Sequence, residues 1–306
     1  MKEQKQKIII DTDPGHDDAL AIMLLEKSGF FDVKAITTVA GNSTIQKTSN
    51  NARYILNLIA SKTPLYSGAV KPLKKDLILA EVHGQSGLDG ANITEQEKLT
   101  NNAAEKIIQI VDEHPNEISI VAIGPLTNLA QAFTTRPDLP SLISKIVIMG
   151  GAITAPGNKN RVGEFNIFID PDAADIVFQS EVDRVLIPLD VCNDVFLTLE
   201  EFDQLKSTDL YEPIISMMRH YIKGLYKFEK TVGAAMYDPL AAYYLINPDA
   251  FNLELMDIRI ETESELTRGM TVADRRSWGE KKPNTQVATG VNRETFVKDF
   301  LRILSS

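Results

Sequence analysis

The sequence predicts an α/β fold, a single domain with an open, mostly parallel central sheet flanked by helices. Short runs rich in β-branched residues alternate with longer segments of helical periodicity, which is typical of a parallel sheet with crossover helices. No low-complexity tract and no linker rich in Pro, Gly or Ser divides the 306 residues. We therefore expect residues 1–306 to form one domain.

The predicted elements follow one another along the chain. Residues 7–11 form an apolar first strand, and residues 17–27 carry Ala19, Leu20 and Met23 at helical spacing. The later strands are predicted at residues 33–39, 119–123, 145–149, 184–189, 256–262 and 285–289. The later helices are predicted at residues 44–60, 102–113, 172–179, 212–228, 240–246 and 293–304. This order favours a Rossmann-like core.

Composition excludes several classes of partner. Acidic residues outnumber basic ones by 42 to 32, so the formal net charge is −10. Because phosphate contacts need clustered Lys and Arg, this balance argues against a nucleic-acid polymer and against an anionic membrane surface. Cys192 is the only cysteine in the sequence, and we expect it to be a small buried hydrophobe. Without a signal-peptide core or a run of ~18 apolar residues, a cytoplasmic location is expected.

A cluster of carboxylates follows the first strand directly. Asp11, Asp13, Asp17 and Asp18 lie within eight residues, at the edge where open α/β sheets bind ligands. These charges repel one another unless a cation lies among them, and Ca²⁺ or Mg²⁺ is the type of cation that oxygen ligands hold. The alternative is that Asp17 and Asp18 only favour a helix dipole. That alternative leaves Asp11 and Asp13 unexplained, so a metal site is expected.

Two later strands end in small residues. Gly124 and Pro125 follow residues 119–123, so the carbonyl of Ile123 can face a ligand, unless Pro125 simply opens a helix. Residues 145–149 precede two glycines, so Met149 can pack on the face of a ligand, unless the glycines only form a tight turn.

Two further polar segments are candidates. Glu164 and Asn166 have period-2 spacing, so in an extended segment both side chains point the same way and suit a polyhydroxylated ligand. The alternative for this segment is a surface strand edge. Asp238 precedes Pro239 and a helical run over residues 240–246, so we interpret it as an N-cap that can also be a ligand.

Only one histidine is a candidate for the site. The four histidines show no zinc-ligand spacing, but His83 begins a glycine-rich stretch within a predicted loop over residues 68–92. Such a loop is either a mobile lid or a plain excursion. The sequence has no Gly-x-Gly-x-x-Gly after the first strand, no Gly-x-Ser-x-Gly and no Walker loop.

Taken in order, these segments resemble the inosine-uridine nucleoside hydrolase family (ribonucleoside hydrolases). The motifs that carry the resemblance are DTDPGHDDA at Asp11, GN at Gly41, HGQSGLDG at His83, GPLTN at Gly124, MGG at Met149, EFNIFIDPDAA at Glu164, YDP at Tyr237 and TRGMTVADRR at Thr267. The first motif is highly specific to the family, whereas GPLTN or MGG alone is weak. Together they span nearly the full chain.

The resemblance implies a nucleoside hydrolase-like catalytic domain that cleaves the N-glycosidic bond of ribonucleosides with water and a tightly held Ca²⁺. The implied calcium ligands are Asp13, Asp18, Asp238 and the carbonyl of Ile123. Asp13 is implied as the general base on the calcium-bound water as well. The implied ribose-binding residues are Asp17, Asn42, Glu164 and Asn166, with Met149 as an apolar floor and Asp11 as a supporting residue. By the same analogy we expect a homodimer or homotetramer.

One position departs from the family pattern. Many members carry histidine immediately before the aspartate that is Asp238 here, and this chain has Tyr237. A tyrosine can donate a proton or stack on a base. His83, or a tyrosine from residues 221–226, can activate the leaving base instead. The family name therefore does not imply a base preference.

Two rival interpretations stay open at this point. Mg²⁺-dependent phosphohydrolases of the haloacid-dehalogenase type also carry Asp-x-Asp after the first strand, but the threonine they place two residues later is Gly15 here. A non-catalytic nucleoside- or ribose-binding protein on the same scaffold is the other. Retention of Asp13 argues against it, whereas Tyr237 leaves it open.

Overall fold

The computed structural model describes residues 5–306. The strands are β1 (Gln6–Thr12), β2 (Phe31–Thr38), β3 (Leu65–Ser67), β4 (Ile118–Ala122), β5 (Lys145–Met149), β6 (Arg184–Ile187), β7 (Phe196–Leu197), β8 (Ala234–Ala235), β9 (Phe251–Met256), β10 (Ile258–Ile260), β11 (Thr271–Ala273) and β12 (Thr285–Val291). The helices are α1 (His16–Lys27), α2 (Ile45–Leu58), α3 (Ala103–Glu113), α4 (Thr127–Thr135), α5 (Phe165–Ile169), α6 (Pro171–Gln179), α7 (Leu189–Cys192), α8 (Leu199–Phe202), α9 (Tyr211–Phe228), α10 (Tyr237–Ile246) and α11 (Arg293–Leu304).

The central sheet has eight strands in the order β3-β2-β1-β4-β5-β6-β12-β9. Its neighbours pair in parallel except β9, which runs antiparallel to β12 at one edge. The chain builds outward from β1 in both directions, so β1 and β4 flank the point where the strand order reverses. Ligands bind at the carboxyl ends beside such a point. The predicted open, mostly parallel α/β fold is confirmed.

The apolar run of β1 explains why the sheet is covered on both faces. Ile8, Ile9 and Ile10 are each fully buried. Because side chains alternate along a strand, Ile8 and Ile10 belong to one core cluster and Ile9 to the other. The α1 residues 19–25 are buried all round, since this helix lies between the sheet and α10.

Most predicted elements are present with bounds shifted by one to three residues. Cys192 is fully buried, as expected of a small apolar residue. Residues 256–262 are divided between the end of β9 and β10, and β3 was not predicted. Residues 68–92 contain no helix or strand. No helix among the described residues is long and apolar enough to cross a bilayer.

Three local interpretations that the sequence left open do not match the structure. Glu164 and Asn166 do not lie in an extended segment: Glu164 caps α5 by accepting the backbone N–H groups of Asn166 and Ile167, so the chain turns into a helix there. Asp238 is not an N-cap, because α10 already begins at Tyr237. Pro125 does not open a helix either, since α4 begins at Thr127.

Candidate active site

A cavity of about 300 Å³ opens at the carboxyl edge of the sheet. This volume lies at the small end of the range for ligand pockets. The site candidates that line it are Asp17, Asn42, His83, Ile123, Met149, Glu164, Asn166, Tyr237 and Asp238. The topology thus brings together residues from the start of α1, the turns after β2 and β4, the end of β5, the loop over residues 68–92, and the first turns of α5 and α10.

Three carboxylates converge at this cavity. Asp17, Asp18 and Asp238 each offer an oxygen within 4.8 Å of the others, an arrangement that can hold a metal ion. All three are nearly inaccessible to solvent, with exposures of 5%, 0% and 3%. Asp13 lies beside this group without being one of the three.

The electrostatics of the cluster are unfavourable without a cation. Burial, and then the charge of Asp18, raises the pKa of both Asp13 and Asp17. Burial, and then the charges of Asp17 and Asp18, raises the pKa of Asp238. Within residues 5–306, no Lys, Arg or His nitrogen lies within 4.0 Å of any of these carboxylates. The cluster therefore needs either protons or a bound cation.

Asp18 is held by several hydrogen-bond donors. The hydroxyl of Thr12 donates to Oδ1 at 2.5 Å, and the backbone N–H of Gly15 donates to Oδ2 at 2.9 Å. Asn42 Nδ2 donates to Oδ2 at 3.1 Å. Burial still raises the pKa of Asp18. These donors fix the direction of the carboxylate, which is what a ligand position requires.

Asp13 is fixed on one side and free on the other. Its Oδ2 accepts the backbone N–H of Asn42 at 2.6 Å, whereas the buried Oδ1 has no partner among residues 5–306. An added Cβ would lie 2.1 Å from Oδ2 at Gly41 and 2.7 Å from Oδ1 at Gly124. Gly41 and Gly124 are therefore required for space around this carboxylate.

Asn166 links two of the predicted positions. Its Nδ2 donates to the carbonyl of Ile123 at 3.0 Å and to that of Met149 at 3.3 Å. A carbonyl oxygen has two lone pairs, so Ile123 keeps one for a second partner. Glu164, besides capping α5, accepts the backbone N–H of Gly151 at 3.0 Å. Burial nevertheless raises the pKa of Glu164.

Asp11 lies below the cavity and joins three elements. Its Oδ1 accepts from the Thr37 hydroxyl at 2.5 Å and from Asn128 Nδ2 at 2.8 Å. Asn128 Nδ2 donates to the carbonyl of Thr38 at 3.1 Å as well. Burial raises the pKa of Asp11 to about 6. The position suits a supporting role, since α4, β2 and β1 meet there.

Aromatic and histidine side chains form the opposite wall. His83 is 5% exposed, and its ring packs with those of His16 and Tyr221. The hydroxyl of Tyr237 lies 3.4 Å from both Asn193 Oδ1 and Glu229 Oε2. The motifs did not single out Phe165, Phe228 or Glu229, which also line the cavity. Phe165 lies inside the EFNIFIDPDAA motif, whereas no motif contains Phe228 or Glu229, because only the fold brings the end of α9 over the site.

Residues 8–298 match the sequence profile of the inosine-uridine preferring nucleoside hydrolases. The pyrimidine-specific ribonucleoside hydrolase RihA of Escherichia coli O7:K1 (strain IAI39 / ExPEC) is 40% identical over 297 residues, covering 95% of both chains. RihA of Shigella boydii serotype 4 is 39% identical over the same length and coverage.

Solved structures agree with the sequence matches. The plant nucleoside hydrolase PpNRh1 superposes with a TM-score of 0.92 at 30% identity, covering 99% of this chain and 100% of the other. The purine-preferring ribonucleoside hydrolase from Gardnerella vaginalis superposes with a TM-score of 0.91 at 31% identity, covering 98% of each chain. The chain therefore belongs to the inosine-uridine preferring nucleoside hydrolase family, and it is a ribonucleoside hydrolase, an N-glycosidase that acts on small-molecule nucleosides.

Proposed function

We propose that this hydrolase depends on calcium and that Asp13 is its general base. The observation that carries the proposal is the group of buried carboxylates at the cavity wall. Lys159 lines the same cavity, but no Lys, Arg or His side-chain nitrogen among residues 5–306 lies within 4.0 Å of these carboxylates. Buried ionised carboxylates without a counter-charge are costly, so a cation is the physical complement of this arrangement.

The donors present suit a hard cation. Calcium takes six to eight oxygen ligands, and Asp13, Asp18, Asp238 and the carbonyl of Ile123 would supply the protein share. Asp17 belongs to the tightest carboxylate group together with Asp18 and Asp238, so it would border both the metal and the ribose. When bound, the ion supplies positive charge that makes a nearby water more acidic and balances the carboxylates.

Asp13 fits the role of base for two reasons. Its Oδ2 is anchored by the backbone N–H of Asn42, while Oδ1 is free to accept a proton from the attacking water.

The remaining polar residues would hold the sugar. Asp17, Asn42 and Glu164 line the cavity with carboxylate and amide groups that suit ribose hydroxyls. Asn166 uses its Nδ2 on two backbone carbonyls, so its Oδ1 is the atom left for a hydroxyl. Met149, 2% exposed, would form the apolar floor. Holding the sugar in this way fixes the orientation of the reacting carbon.

Tyr237 and His83 would flank the departing base. Many relatives carry a histidine at this position. The Tyr237 hydroxyl would take its place as the donor toward the departing base. Its present partners, Asn193 and Glu229, lie at 3.4 Å, which is long enough for a ligand to displace them.

A substrate panel tests the proposal. Purified protein is offered each common ribonucleoside and p-nitrophenyl riboside, with and without a chelator. Purines and pyrimidines are both included, because the relatives are named pyrimidine-specific and purine-preferring. We expect release of base that a chelator abolishes and calcium restores.

The same panel separates the rival functions. Phosphate release from phosphorylated substrates, without base release from nucleosides, would support the haloacid-dehalogenase-type alternative. Binding of nucleosides without turnover would support the non-catalytic one. The family assignment favours neither.

We also propose that the chain acts as a homodimer or homotetramer in the cytoplasm and that residues 1–306 form one catalytic domain. Light scattering coupled to size-exclusion chromatography measures the assembly, cell fractionation the location, and limited proteolysis the domain boundaries. A monomer, or a fragment stable by itself, would contradict the corresponding part.

A further inference from the structure

His16 and His83 contact each other through their ring nitrogens. Nδ1 of His16 lies 3.0 Å from Nδ1 of His83, and Nε2 of His16 lies 2.9 Å from the carbonyl oxygen of Asp89. His16 is fully buried, whereas His83 lines the cavity. A pair of nitrogens at 3.0 Å needs one proton between them, because two bare lone pairs repel.

The contact is a linear, in-plane hydrogen bond. Ring bonds of about 1.35 Å place each imidazole atom about 1.15 Å from its centroid. The two centroids are 5.3 Å apart, which is the largest separation that a 3.0 Å contact between the nitrogens allows. The two nitrogens and both centroids therefore lie nearly on one line. The ring planes differ by 19°, so the line follows the lone-pair direction of both rings.

The carbonyl of Asp89 decides which ring holds the shared proton. A carbonyl oxygen only accepts, so Nε2 of His16 carries a hydrogen. A neutral imidazole has one ring hydrogen, which leaves Nδ1 of His16 bare. The proton in the linear contact then belongs to Nδ1 of His83. The backbone N–H of His16 also approaches this nitrogen, but at 3.3 Å and away from the ring axis.

The surroundings keep His16 neutral and the contact dry. His16 is fully buried and no carboxylate oxygen among residues 5–306 lies within 4.0 Å of its ring nitrogens, so an imidazolium there would be a buried charge without a partner. The Tyr221 ring is nearly parallel to both imidazoles, at 5.1 Å from His16 and 5.4 Å from His83. The Tyr221 ring therefore packs against both imidazoles, and His16 and His83 are only 0% and 5% exposed.

We propose that His16 is a positioning residue that fixes His83 as the Nδ1–H tautomer, so that Nε2 of His83 presents a lone pair to the ligand. This proposal rests on the proposed function for its ligand, a ribonucleoside. In the resting enzyme His83 then accepts a hydrogen bond from an O–H or N–H group of the nucleoside, and Tyr237 is left as the donor toward the departing base.

The tautomer can be measured directly. Protein with ¹⁵N-labelled histidine gives ring-nitrogen shifts that separate protonated from bare nitrogens, and His83→Gln assigns the His83 signals. At neutral pH we expect Nδ1 of His83 to be protonated and Nε2 bare. A protonated Nε2, or two protonated nitrogens, would overturn the proposal.

Two substitutions test the cause. In His16→Leu no side chain accepts from His83, so the backbone N–H of residue 16 becomes the partner of Nδ1 and the proton moves to Nε2. In His16→Asn the amide oxygen takes the place of Nδ1 and keeps the original tautomer. An unchanged tautomer in His16→Leu, in protein whose circular dichroism and Tm indicate a fold, would also overturn the proposal.

Activity provides the second readout. We expect kcat/KM for ribonucleosides to fall about 10- to 100-fold in His16→Leu, as when an orienting partner is lost, and to recover largely in His16→Asn. Because the spectrum needs no turnover, the two claims fail separately. A wild-type protein without hydrolase activity contradicts the proposed function, whereas an active one with the other tautomer contradicts only this inference.

Discussion

At the scale of single residues, the two oxygens of the Asp13 carboxylate have different surroundings. One oxygen is anchored by a backbone N–H at 2.6 Å, and the other is buried without a partner among residues 5–306. Anchoring orients the group, and the lack of a partner leaves it able to accept a proton. Asp11 Oδ2 is also buried without a partner among these residues, so what distinguishes Asp13 is its place beside Asp18, whose Oδ1 accepts the Asp13 backbone N–H at 3.2 Å.

We expect Asp13→Ala to lower kcat by at least about 10³-fold, because it removes the base and a metal ligand together. Steady-state kinetics at saturating calcium measure this loss. Asp209→Ala is the matched control, since Asp209 is an exposed carboxylate remote from the cavity. Near-normal turnover in Asp13→Ala would contradict its role.

Tyr237→Phe tests the activation of the departing base. Removing the hydroxyl is expected to lower kcat/KM about 10- to 100-fold on ribonucleosides, since general acids contribute this much or more. p-Nitrophenyl riboside needs little protonation of its leaving group, so its cleavage should change little. Tyr244→Phe is the control, because Tyr244 lies on the same helix but does not line the cavity. Equal losses on both substrate types would refute this role.

At the scale of elements, glycines in the turns after the strands leave space for the side chains of the site. Gly124 has no left-handed backbone angle, so glycine is needed there for space beside Asp13 and not for conformational freedom. From the sequence, Gly124 was expected to free the backbone. That reason was wrong, although the turn after β4 does lie at the site.

Gly124→Ala follows from this geometry. Its Cβ would lie 2.7 Å from Asp13 Oδ1, so the carboxylate must move. We expect calcium affinity, measured by calorimetry, to fall at least about tenfold, the equivalent of one lost ligand contact. Gly290→Ala is the control, since its Cβ would meet only the end of the Asn252 side chain, at 3.1 Å. Unchanged affinity in Gly124→Ala would contradict the packing argument.

Asp170 joins three segments and sets the start of α6. Its carboxylate accepts from the backbone N–H groups of Ala173 and Leu73 and from the Thr127 hydroxyl. Asp170→Ala should therefore destabilise the fold by about 3 kcal/mol, because a cap is lost and buried donors are left unpaired. Urea denaturation measures this loss. Asp175→Ala, on the exposed side of the same helix, should cost less than about 0.5 kcal/mol.

The elements that were predicted from the sequence differ in length from those that were missed. The long helices α1, α2, α9 and α11 carry enough turns for their periodicity to be read. The helix α5 has five residues, too few for a period, and its N-cap is Glu164, although glutamate is not among the preferred N-cap residues. Its existence depends on the tertiary position of Glu164, so an extended segment was the natural prediction from spacing alone.

At the scale of the whole molecule, the strand order explains why distant residues meet. Asp18, Asn42, Ile123 and Asp238 are far apart in sequence but follow the carboxyl ends of neighbouring strands or lie on α10 beside them. That rule needs only the order of elements, so the place of the site could be predicted. The distances could not, because packing decides that Asp17, and not Asp13, joins the closest three carboxylates.

Metal binding should stabilise the whole fold. A ligand at 100 times its Kd that binds only the folded state adds about 2.7 kcal/mol, which raises Tm by about 4 °C in a chain of this size. We therefore expect chelator to lower Tm by that amount and calcium to restore it, measured by scanning calorimetry. In Asp238→Asn the difference should shrink, because one of the three closest carboxylates is removed. A Tm independent of calcium in the wild type would contradict the site.

The most direct test measures calcium occupancy and turnover in one sample. Protein stripped of metal is titrated with calcium while free base from a ribonucleoside is measured and bound calcium is counted. We expect no turnover in the stripped protein. Turnover should rise as calcium is added, and the rise should be complete at one calcium per chain. Full base release from metal-free protein would contradict the central claim that the buried carboxylates act through a bound calcium ion.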